Sequence, residues 1–200
     1  MMKFSKNRLE TFCDGVIAVI ITIMVLEIPL PNTFEFASII DLLRSILIFF
    51  ASFIIVGNYW TNHHVWMEQI SEVSNKFIWR NLLFLFFLAL IPIFTKWVIL
   101  YSNEVVPVIG YDIVFLLVNA SSYWIGSEAA KQEGGVNIQK RRQRFGGQSR
   151  WLPRWIIMAI IIGAIIILSL FYPDISIIFF IGLPVFFSLF NLIIERNEKL

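Results

Sequence analysis

Long apolar runs, each about the length of a membrane crossing, dominate this chain and are separated by polar or proline-bearing stretches. Phe12–Leu30, Ile39–Trp60, Phe77–Tyr101, Val106–Ile125, Trp155–Tyr172 and Ile175–Ile194 are of this kind. A bilayer core of about 30 Å takes about 20 predominantly apolar residues as helix. Backbone groups in hydrocarbon must also be satisfied within their own segment, which favours helices over irregular chain. The pattern predicts an all-α polytopic membrane protein of six transmembrane helices, forming a single domain over residues 1–200. Pro29-Leu30-Pro31-Asn32 predicts the stop of the first helix, because proline cannot continue the hydrogen-bond ladder. Tyr172-Pro173-Asp174 is the whole connection between the last two runs and predicts a tight antiparallel hairpin.

Composition agrees with lipid as the solvent. The chain is 58% hydrophobic and 15% charged, where soluble domains are about 45–50% apolar and about 25% charged. So large an apolar excess cannot be hidden in the interior of 200 residues. The net charge of +2 identifies no partner, but its distribution orients the chain. Lys3, Lys6 and Arg8 precede the first run, Lys76 and Arg80 flank the third, and a basic 131–154 loop lies between the fourth and fifth. The connections after the first and fifth runs carry no Lys or Arg. The positive-inside rule therefore predicts both termini and the basic loop in the cytoplasm. That loop reads as a topological anchor at the inner leaflet, with anionic lipid as a further partner; no nucleic-acid partner is expected. Trp79, Trp97, Trp124, Trp151 and Trp155 lie near run ends, as an interfacial belt requires.

Polar residues inside apolar runs are costly and therefore informative. Arg8 and Asp14 enter the first run, Asn58 to His64 close the second, Trp79-Arg80-Asn81 open the third, and Thr22 lies within the first. The first three groups share one membrane depth. An interhelical network of Arg8, Asp14, His63, His64 and Asn81 is expected, serving either to join three helices or to gate and sense protons. Adjacent histidines project about 100° apart on a helix, a poor arrangement for joint metal coordination. The single cysteine, Cys13, excludes a disulfide framework and a cysteine-based zinc site. No paired-carboxylate, nucleophile–base or phosphate-loop pattern occurs, so the chain is not expected to be an enzyme and no cofactor is expected. On an ideal helix Val19, Thr22, Ile23 and Leu26 share a face nearly opposite Asp14. Such a stripe is ordinarily lipid-facing or packing surface, and periodicity alone does not make it a pore. Arg8 and Asp14 lie about 240° apart, so their direct contact would need a distorted helix start.

Arg8-x-x-x-Phe12-Cys13-Asp14-Gly15, followed by the apolar Val16–Leu26 and Glu27, resembles the first helix of the transmembrane-protein-175 potassium channels. Tyr59-Trp60-x-x-His63-His64 is similar to that family's second helix, and Asn81-Leu82-Leu83-Phe84-Leu85 through Pro92 to its third. Cys13 stands where the family usually has serine, a stronger hydrogen-bonding group. The resemblance implies the single-repeat prokaryotic form, assembled as a homotetramer in the cell membrane, with potassium as the permeant ion. By position it implies a pore lined by the first helix, with Val19, Ile23 and Leu26 as hydrophobic layers and Thr22 as a polar ring between them. No Thr-Val-Gly-Tyr-Gly filter sequence is present. Glu27 reads either as an interfacial carboxylate or as an attractor of cations. The alternative is a small secondary transporter or proton pathway using Asp14 and the histidines; a non-conducting scaffold is a third reading.

Overall fold

The computed structural model describes residues 5–70, 72–101 and 104–132. Within them lie four helices: α1 (Lys6–Leu26), α2 (Phe36–Gln69), α3 (Asn75–Leu100) and α4 (Val105–Gln132). α3 is the hub, packing against α1, α2 and most extensively α4, while α2 also meets α1 and α4.

The expectation of six membrane-crossing helices is corrected: among the described residues the structure has four helices long and apolar enough to cross. The length of an apolar run states only what a segment is able to do. A crossing also needs a continuous helix of bilayer length, and among the described residues that is observed for the first four runs. The runs 155–172 and 175–194 and the basic stretch 133–154 lie outside the described residues.

The helix ends differ from the run ends for a simple reason. Apolarity stops at the membrane surface, whereas the hydrogen-bond ladder continues until the backbone turns away. α2 has 34 residues, about 51 Å at 1.5 Å per residue, well beyond a hydrocarbon core of about 30 Å. Its ladder carries on past Trp60 through both histidines and ends where Ile70 becomes extended. α1 starts at Lys6, before the apolar run, and closes at Leu26, ahead of Pro29 and Pro31. The Ser74 hydroxyl caps α3 by accepting from the Phe77 amide at 3.1 Å.

A continuous apolar core joins the four helices, centred on fully buried Ile17, Met24, Val56, Phe77, Phe84, Leu88, Val118 and Ile125. Gly110 lets α4 pack tightly on α3: a Cβ there would lie 2.7 Å from the Phe94 ring. Outside this core the helices remain apolar. Only 28% to 39% of the most apolar stretch of each is buried, so most of their hydrophobic surface faces outward, as lipid allows and water does not.

Candidate functional site

α1 carries two faces of opposite character. Cys13, Ile17, Ile20 and Met24 recur at helical spacing and are buried where α1 meets α2 and α3. On the other side Val19 is 54% exposed, Ile23 43% and Leu26 80%, with Thr22 exposed among them. The Thr22 hydroxyl donates to the Val19 carbonyl at 2.8 Å. Its proton is thus committed to the helix backbone, and its oxygen lone pairs remain available outward. The first helix offers one apolar stripe, interrupted by one hydroxyl, that the described residues leave exposed.

The polar residues at the other end of α1 are brought together in two separate groups rather than one network. The first is buried. His63 of α2 and Asn81 of α3, both fully inaccessible, are joined by His63 Nε2 and Asn81 Oδ1 at 2.7 Å. Asn81 Nδ2 is already donating to the Phe77 carbonyl at 2.8 Å, so its Oδ1 is the acceptor and His63 carries its proton on Nε2. The imidazole also stacks on Phe84, with 5° between the rings.

The second group lies on the exposed side. Asp14 Oδ1 accepts from the Trp60 indole at 2.9 Å. One turn along, His64 has Glu10 of α1 at 3.4 Å from Nδ1 and Glu68 of its own helix at 3.6 Å from Nε2. The Trp60 and His64 rings stack. Arg8, also on α1, is exposed and pairs with neither Asp14 nor the histidines. On an ideal helix it projects away from Asp14, and α1 is helical from Lys6. Arg80 turns the other way, pairing with Glu128 of α4 at 2.8 Å and donating to the Trp124 carbonyl at 3.1 Å. Successive helices are thus linked at one end of the bundle: α1 to α2, α2 to α3, and α3 to α4. Among the described residues no group of His, Cys, Asp and Glu could hold a metal ion.

Other polar contacts escape a reading by sequence. At the far end of α1, Glu27 forms a salt bridge with Lys96 of α3, so its carboxylate is compensated. In the bundle interior Thr95 donates to Ser52 at 3.0 Å, and Ser52 meets the Tyr111 hydroxyl at 2.9 Å. All three are buried, and they join α2, α3 and α4. Single polar residues inside apolar runs were the available signal for this cluster, but their partners come from helices whose relative rotation no sequence pattern supplies. The pairing of Trp60 with Asp14 escapes it for the same reason.

The family model for the endosomal/lysosomal potassium channel TMEM175 matches residues 8–92. Over 195 residues the chain is 34% identical to a potassium channel of a Chryseobacterium species, covering 98% of both proteins. The chain belongs to the TMEM175 family. It is a family of potassium channels rather than enzymes. The chain is also similar to a crystal structure described as a lysosomal potassium-selective channel TMEM175 homolog from Chamaesiphon minutus. That likeness has a TM-score of 0.71 and 25% identity, over 92% of this chain and 96% of that one. A potassium channel of Streptomyces collinus shares 31% identity over 90 residues. The TMEM175 match runs from Arg8 to Pro92 and takes in the exposed stripe of α1, Asp14 with Trp60, and His63 with Asn81. Arg80 lies inside it and its partner Glu128 outside. The four described helices and the family together make this a multi-pass membrane protein.

Proposed function

We propose that this chain conducts potassium as a homotetramer, with α1 of each subunit lining a central pore. The observation that carries the reading is the uncovered stripe of α1. Val19, Ile23 and Leu26 are exposed on the helix face opposite Cys13, Ile17, Ile20 and Met24, and cyclic symmetry would place four such faces around one axis. The relatives described as potassium channels supply the ion.

In this arrangement Val19, Ile23 and Leu26 form successive hydrophobic layers and Thr22 a hydroxyl ring between them. A narrow apolar layer opposes permeation by dewetting and can act as gate and filter together. Potassium holds its hydration shell less tightly than sodium, so an apolar constriction is less costly for it. The outward lone pairs of Thr22, its proton being bound to Val19, offer partial replacement for lost water. The Glu27 charge is balanced by Lys96 and adds little field at the mouth. The Asp14–Trp60 and Glu10–His64 links brace the start of α1 against α2 and set its rotation about its own axis. That rotation decides which residues face the pore.

Purified full-length protein in planar bilayers under a potassium gradient tests this reading. Unitary current steps reversing near the potassium equilibrium potential are expected. Saturating flux without unitary steps would indicate a transporter, and absence of flux a scaffold; either contradicts the proposal.

A further inference from the structure

Away from the stripe of α1, a cleft of about 340 Å³ opens to the surface between α3 and α4, lined by Lys76, Trp79, Arg80, Leu83 and Trp124. Lys76, Arg80 and Leu83 fall at successive turns along one side of α3, so the cleft is cationic toward the helix start and apolar further in. Trp79 is 72% exposed and Trp124 54%, and large indoles left uncovered on a membrane helix belong at the headgroup level. Arg80 uses one guanidinium nitrogen, Nη1, for both Glu128 and the Trp124 carbonyl. This fixes the side chain on α4 and leaves its other N–H donors uncommitted among the described residues. Lys131 lies 3.8 Å from the same Glu128 carboxylate. The cleft cations Lys76 and Arg80, with Lys131 beside the Glu128 carboxylate that Arg80 pairs with, make three cations against one carboxylate, a net positive site.

We propose that this cleft seats an anionic phospholipid. Its phosphate lies against Lys76 and the free donors of Arg80, and the upper part of one acyl chain runs along Leu83 between the two indoles. The charge calls for an anion, and the start of α3 adds a favourable helix-dipole contribution. The apolar half of the lining distinguishes a lipid from a free phosphate: Trp79, Leu83 and Trp124 have nothing to offer an inorganic ion, whereas they match methylene groups. The vertical order, cations outside and Leu83 deeper, is also the order of headgroup and chain in a bilayer. The site is separate from the α1 stripe, and its occupancy does not depend on ion conduction.

Full-length protein reconstituted with dibrominated lipids tests the proposal through tryptophan quenching, since bromine quenches an indole only on contact. The Trp79→Phe/Trp124→Phe variant isolates the cleft signal from that of the remaining tryptophans. Brominated phosphatidylglycerol is expected to outcompete brominated phosphatidylcholine at the cleft by about fivefold for each cation engaged. The preference should fall about fivefold in Lys76→Gln and persist in Lys76→Arg. Should Lys76→Gln not survive purification, Lys131→Gln, an exposed side chain, is expected to weaken the preference in the same direction. Equal quenching by the two lipids overturns the proposal. So does a preference untouched by loss of the cations, or one of the same size with and without the two tryptophans. Abolition of the preference by millimolar inorganic phosphate would identify a free-anion site and equally overturn it.

Discussion

Asp14 on α1 and Trp60 on α2 are joined by a hydrogen bond of 2.9 Å from the indole N–H to the carboxylate, and this bond ties the helix proposed to line the pore to its neighbour. It is a contact between a donor-only indole and an accepting carboxylate, so its direction is fixed. Trp60→Phe keeps the ring and removes the donor. The contact is exposed, so the expected loss is about 0.5–1.5 kcal/mol, read as a lowered melting temperature in detergent. Asp14→Asn, which still accepts through its amide oxygen, should lose less.

The His63–Asn81 pair is buried, and its energetics should differ accordingly. Asn81→Leu strands the Nε2 proton of His63 in an apolar interior, at an expected cost of about 1–3 kcal/mol. The double variant His63→Phe/Asn81→Leu removes both partners and should recover part of that loss. A double-mutant cycle on melting temperature measures the coupling; strict additivity would show that the pair contributes nothing as a pair.

Gly110→Ala should loosen the α3–α4 interface, because the new methyl would meet the Phe94 ring at 2.7 Å. Overpacking of this kind costs about 1–3 kcal/mol. Phe94→Leu in the same background should relieve it, and a thermal shift assay on the three variants checks the direction.

Cys13 is fully buried on the packed face of α1, and it is the single cysteine. N-ethylmaleimide should therefore fail to label the folded protein and label it after denaturation, with mass spectrometry as the readout. Rapid labelling of the folded protein would mean that α1 presents a different face to the bundle.

The division of α1 into two faces was legible because helical spacing is a local property: Val19, Ile23 and Leu26 are exposed on the side that the 100° rotation per residue assigns them. The shared depth of Asp14, His63 and Asn81 was legible from position along the runs. Their grouping was not. Depth is one coordinate, whereas pairing also needs the rotation of each helix against its neighbours, and that separated His63–Asn81 from Asp14–Trp60. Arg80 shows the same gap: it reads as a neighbour of Asn81 and pairs instead with Glu128, 48 residues away. Ser52, Thr95 and Tyr111 passed unnoticed because each is a lone polar residue in its run, and only packing brings them together. Helix length was misread where it outran apolarity, as in α2. Hydropathy counts segments able to cross, whereas the described residues hold four helices of crossing length rather than six.

The central claim is that the exposed face of α1 is the permeation path, and substitution at its narrow layers tests it most directly. Val19→Asn and Ile23→Asn should each wet the constriction. Single-channel recording with potassium on one side and sodium on the other is then expected to show higher conductance and a reversal potential shifted toward zero. Unchanged conductance and reversal potential in both variants, with both proteins folded and inserted, would contradict the account.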